Sequence, residues 1–168
     1  DVGIFSYKYT LINNLIENYK FGNSSLEELG YHITRGQNLQ ISSIGKSIYS
    51  KKALNDKFYQ LVLSNSITNN MSFRTEMFLG SKRNLKKIRY GDIIFTCRGN
   101  LGRCFINCSK NYNIITNIDN VHISSDTNTI NNKVMVGCFL HYLKEKEYLK
   151  NISIQGSGAD SFTKYHFD

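Results

Sequence analysis

Apolar residues recur at helical spacing near both ends of the chain and in short, turn-bounded runs between. Leu11, Ile12, Leu15, Ile16 and Tyr19 form one stripe at a period near 3.6, which predicts a helix over 7–19. Gly22 and Asn23 suit its end. Ser25 and Glu28 have the spacing of a capping box, which predicts a short helical turn there. From Tyr31 onward the pattern changes to β-like pieces. The predicted strands are 31–34, 59–63, 93–96, 103–106, 113–115 and 121–123, punctuated by Gly36, Asn69-Asn70, Gly80, Gly99 and Gly102. The run 59–63 reads equally well as helix. Helical spacing returns over 134–148, with Val136, Phe139, Leu140, Leu143 and Tyr148 facing inward and Lys144 to Glu147 outward. A Gly-Ser loop, 155–161, precedes the last segment, 162–168. These elements predict one α+β domain with a twisted, mixed or antiparallel sheet and flanking helices.

Composition supports a folded domain. The chain has 168 residues, is 40% hydrophobic and contains no proline. It opens at Asp1 without Met or a basic-apolar leader, and reads as a piece cut from a longer protein. No apolar run is long enough to span a membrane. Cys97, Cys104, Cys108 and Cys138 match no disulfide or zinc pattern, so free thiols and a cytoplasmic location are expected.

Charge changes the picture more. The net charge is +8, and residues 74–103 alone carry +6. That stretch holds Lys82, Arg83, Lys86, Lys87 and Arg89, then Gly91-Asp92, a buried-looking strand, and Arg98-Gly99-Asn100. Gly91 and Gly99 suit tight turns of positive φ. Basic residues concentrated beside presenting turns have the form of a nucleic-acid phosphate footprint. The alternative is a solvated basic face, or one that meets an acidic protein. Asp92 would repel phosphate, so it is expected to cap the adjacent turn.

Several chemistries find no support. Without proline there is no Asn-Pro-Pro-Tyr loop of an amino-methyltransferase, and no glycine-rich cofactor loop follows an early strand. Gly45-Lys46-Ser47 lacks the earlier glycine of a phosphate-binding loop, since position 40 is Gln. Cys104, Cys108 and Cys138 with a histidine leave a zinc-dependent hydrolase as a remote alternative.

Taken in order, several segments resemble the target recognition domain of type I restriction-modification specificity subunits. Residues 26–36 look like the family's opening helix and strand. Residues 87–103 look like its central signature, a basic stretch, Gly-Asp-Ile-Ile, a turn and Gly-x-x-Gly-Arg. The helix 134–149, then Gln155-Gly156-Ser157-Gly158 and Phe162-Thr163-Lys164, look like its close. The resemblance covers about 24–168; residues 1–22 would be the end of a spacer helix and 23–168 the recognition domain. The chain carries one such domain, where complete subunits usually carry two, which suits an excised half or part of a fused enzyme. The resemblance implies a non-catalytic component that reads one half of a split DNA site and positions a DNA adenine methyltransferase. S-adenosylmethionine and the catalytic residues would lie in that partner, and a restriction subunit would be a further partner.

Given that reading, base contacts need forked donors and amides on ordered loops: arginine for guanine, Asn or Gln for adenine. The candidates are Arg35, Gln37, Asn38, Arg74, Arg98 and Asn100. Phosphate contacts would come from Lys82, Arg83, Lys86, Lys87, Arg89 and Lys164. An ordinary polar turn remains the alternative for the residues around Gly36 and Gly99.

Overall fold

The computed structural model describes residues 7–74, 77–110 and 113–149. The elements run α1 (Tyr7–Glu17), β1 (His32–Arg35), α2 (Ile41–Ile44), β2 (Ser47–Ser50), β3 (Phe58–Val62), β4 (Phe78–Ser81), β5 (Ile93–Thr96), β6 (Cys104–Ile106), β7 (Ile114–Thr116), β8 (Asn120–Ser124) and α3 (Ile130–Glu145). The α+β class is as the sequence predicts. The strands, however, form two four-stranded sheets, ordered β1-β8-β5-β6 and β2-β4-β3-β7. The first is antiparallel throughout; in the second, β3 and β7 pair in parallel.

Strand β5 shows why two layers form. All four of its residues are buried. Ile93 and Phe95 point to a cluster with Val121, Ile123, Ile106 and Leu140 of α3. Ile94 points the other way, to Val62 of β3, Ile114 of β7 and Phe105. A strand covered on both faces reads as a continuous apolar run, not as an alternation. The second sheet has its own outer cluster, Ile44, Tyr59, Leu61, Leu79, Leu85 and Ile115. The order is therefore α3, first sheet, second sheet, with an apolar cluster at each junction.

Helix α3 sits in a different rotation from the expected one. Leu140 is buried, and Val136 and Leu143 pack against the core, but Phe139 is 58% and Tyr148 44% exposed. The helix meets the sheet at Gly137, where a Cβ would stand 2.4 Å from Ile106 Cδ1. Contact at the smallest side chain lets the helix approach closely, and turns Phe139 outward with Met135 and Tyr142. Lys144, expected outside, is half-buried and ion-paired to Glu145. The residues around Ser25 form a turn closed by the reciprocal capping bonds, Ser25 N to Glu28 Oε2 at 2.8 Å and Glu28 N to Ser25 Oγ at 3.1 Å. Helix α1 leaves Leu11, Leu15 and Ile16 exposed. Among the described residues no helix is long and apolar enough to cross a membrane.

Candidate nucleic-acid interface

Strand direction gathers four turns at one end of the molecule. In the antiparallel first sheet, the residues that follow β1 and β5 share an end with those that precede β8 and β6. The loops leaving β3 and β7 reach the same end. Gln37 forms a parallel bridge with Asn117, Asn100 Nδ2 donates to the Ser64 carbonyl at 3.4 Å, and the Arg74 amide donates to the Ser66 carbonyl at 3.0 Å. All six base-reading candidates are on or beside these turns.

Five of them fall into two groups with the β7–β8 turn, Asn117 to Asp119, between them; Arg74, exposed on the loop after β3, belongs to neither. On one side Arg35 Nη1 donates to the Ile118 carbonyl at 3.4 Å. Gln37 and Asn38 are half-buried and engaged within the chain. Gln37 Oε1 accepts the Lys86 amide at 3.2 Å and its Nε2 donates to the Asn38 carbonyl. Asn38 Oδ1 accepts the Gln40 amide at 3.0 Å, an Asx turn leading into α2. Gly36 allows a close backbone approach, as its type suggests, but to the chain itself: a Cβ there would lie 2.2 Å from the Asn117 carbonyl oxygen. On the other side Arg98 and Asn100 line a cleft of about 330 Å³ with Leu63, Ser64, Asn65, Asn117 and Asp119. Arg98 is exposed. Gly99 between them has φ +77 and nothing within 4 Å of where a Cβ would be.

Buried polar bonds hold these turns. Asn120, fully buried, donates to Thr116 Oγ1 at 2.6 Å and to Asn117 Oδ1 at 3.3 Å, and its Oδ1 accepts from Ser64 Oγ at 2.9 Å. Thr116 Oγ1 donates in turn to the Val62 carbonyl. One side chain thus ties the exits of β3 and β7 to the start of β8, and satisfied networks of this kind rigidify what they join.

The basic segment does not form one footprint. Arg83 Nη1 donates to the carbonyls of Ser42 and Ser43 at 2.8 and 3.0 Å, covering the end of α2. Lys86 Nζ reaches Thr34 Oγ1 and the Arg35 carbonyl, which places it beside the first group. Burial lowers its pKa, and the charge of Asp92 acts against that. Lys87 and Arg89 line a different cleft, of about 730 Å³, with Lys110, Tyr90 and Asn113. That cleft is built from residues that precede β3, β5 and β7 or follow β6, so it lies at the opposite strand ends. Arg89 is paired with Asp126 at 2.8 Å, the main reason its pKa is raised. Lys82 is exposed. Lys164 lies outside the described residues.

Asp92 caps its turn as expected, accepting the Arg89 amide at 2.8 Å through Oδ2. The same oxygen meets His122 Nε2 at 2.7 Å, and both side chains are buried. Burial works to raise the Asp92 carboxyl; the His122 bond, the Arg89 amide and the nearby positive charges outweigh it and hold the group below its usual range. Position 122 carries no sequence signal for this pairing, because the partners are 30 residues apart and meet only through the β5–β8 register. Asn65, Asn117, Asp119 and Lys110 were likewise missed, each being an unremarkable polar loop residue in sequence.

Among the described residues no group of three or more His, Cys, Asp or Glu is placed to hold an ion. Burial pushes the Cys97 thiol up to about 11 and the Cys104 thiol up to about 12, which keeps both protonated and unreactive.

No protein-family model matches the sequence, and no curated protein matches it. Eight solved chains match this one, among them the following two. The HsdS subunit from Thermoanaerobacter tengcongensis superposes with a TM-score of 0.53 over 88% of this chain, at 15% identity. A structure described for complex assembly and conformational transition of the type I R-M system gives 0.46 over 95% of this chain, at 12% identity. The chain spans 36% and 37% of the length of those two chains. Its fold is that of part of the HsdS subunit.

Proposed function

We propose that this chain is a DNA target recognition domain of a restriction-modification specificity subunit. It reads one half of a split site and positions a DNA adenine methyltransferase there. The observation that carries the reading is the convergence, at one end of two stacked sheets, of the turns bearing Arg35, Arg74, Arg98 and Asn100, fixed from below by buried Asn120. Forked donors on rigid supports are what base discrimination in the major groove needs. The fold likeness to HsdS supports the same reading.

The catalytic residues and the S-adenosylmethionine site belong, on this reading, to the partner methyltransferase, and a restriction subunit completes the assembly in the cytoplasm. The N-terminal helix, with Leu11, Leu15 and Ile16 exposed, is the end of a spacer helix that meets another helix there. Phosphate contacts come from exposed Lys82 more than from Arg83, Lys86 and Arg89, whose charged groups are already bonded within the chain, or from Lys87, which lies in the cleft at the opposite strand ends.

Selection of duplexes from a randomised pool at two salt concentrations tests this. Enrichment of a short motif, with affinity falling steeply as salt rises, is the expected result. Salt-sensitive binding without enrichment leaves a generic basic surface. A folded sample that binds no duplex at low salt favours the protein-interaction alternative.

A further inference from the structure

The cleft beside Arg98 contains a residue that sits badly with phosphate binding. Asp119 lines it, and one carboxylate oxygen is held by Asn117 Nδ2 at 2.7 Å. Asn117 is itself bonded to buried Asn120, so the carboxylate is braced from the core. The Asp119 carbonyl accepts the Cys97 amide at 2.9 Å, which locks this turn to the residue just before Arg98. The two charged side chains therefore stand on linked backbones and line one opening. Yet no ion pair joins them, and Arg98 and the second oxygen of Asp119 have no hydrogen-bond partner among the described residues.

A phosphate would suit Arg98 and be repelled by Asp119. A partner that satisfies both must offer adjacent acceptors to the guanidinium and a donor to the carboxylate. In the major groove guanine offers N7 and O6 side by side, and its paired cytosine offers the N4 amino group. We infer that Arg98 and Asp119 together read one G·C base pair, Arg98 taking the guanine edge and Asp119 the cytosine amino group. This rests on the DNA-recognition reading above and names the base pair that this cleft would accept.

The test is selection from a randomised duplex pool by the full chain, as wild type and as R98A, D119A and D119N, with thermal melting of each. The wild type should enrich a motif containing a G·C pair. R98A and D119A should each lower discrimination at that same pair by about tenfold and leave the other positions alone. D119N keeps an acceptor for Asn117 and so preserves the brace; its amide suits adenine and should move the preference there toward A·T. If D119A proves unstable, folded D119N decides the matter. Unchanged preferences in folded D119N, or Arg98 and Asp119 variants that alter different base pairs, would overturn the inference while leaving the recognition reading standing. A folded wild type that enriches no motif would overturn the recognition reading itself.

Discussion

Strand β5 is flanked by two turns that look alike in sequence and differ in what they leave available. Each has an arginine and a glycine of positive φ, Arg89 with Gly91 at +82 and Arg98 with Gly99 at +77. The first turn is closed. Its arginine is paired with Asp126, its aspartate with His122, and Gly91 lies under α3 beside Ile130 and Lys133. The second is open: a Cβ at Gly99 would meet nothing within 4 Å, and Arg98 lines a cleft. Charge in a sequence therefore says little about charge on offer. A guanidinium engaged by its own chain gives a partner little, while one held on a rigid turn without a partner is poised to bind.

Breaking the closed turn should have the largest effect. Asp92→Ala removes the acceptor for the Arg89 amide and leaves His122 buried without its partner, at a cost of about 3–5 kcal/mol, read from urea unfolding. The pH dependence sharpens the same point. The Asp92 carboxyl is held below its usual range, so its contribution is present above the unfolded carboxyl value of about pH 4 and is lost as pH falls through the lower folded value. Melting temperature followed from pH 5 to pH 2.5 should fall steeply in the wild type and less in Asp92→Asn; equal slopes would mean that Asp92 does not govern acid lability.

The open turn should behave the other way round. Arg98→Ala should shift stability by no more than about 0.5 kcal/mol while reducing base discrimination. A large loss of stability would show that the arginine is structural after all. Gly99→Ala places a Cβ in open space but at an unfavourable φ, and should cost about 1–2 kcal/mol. Gly91→Ala should cost more, because its Cβ would also stand 2.9 Å from Lys133 Cδ. The smallest effect concerns the basic segment. Lys82→Ala should reduce the dependence of log affinity on log salt by about 1 and leave sequence preference unchanged. Arg89→Ala should change that slope less, since Asp126 already neutralises the guanidinium.

The strands most legible in the sequence were those with an apolar run between turn residues. Ile93–Thr96 was predicted with its observed bounds, and β1, β3, β6, β7 and β8 to within a residue or two at each end. The elements missed were β2, β4 and α2. Ser47–Ser50 is an edge strand with two exposed positions, and Phe78–Ser81 contains Gly80, which fits under the Phe58 ring. Neither shows the periodicity or the apolar run that marks a half-buried or fully buried strand. The rotation of α3 was misread because Phe139 looks like a core residue, whereas the close approach is made at Gly137.

By itself, the sequence determined the α+β class, the turns at Gly91 and Gly99, the capping role of Asp92 and the concentration of basic residues before β5. All of these are local, set by neighbours a few positions apart. Tertiary structure alone decided that the strands divide into two sheets, that Asp92 finds His122, that among the described residues Arg83 and Arg89 are engaged while Arg98 is not, and that Asp119 and Arg98 line one cleft. Each of these depends on strand register and on backbone brought together from 20 or more residues away. Such pairings are chosen by burial and hydrogen-bond satisfaction across the whole domain, and no local pattern encodes them.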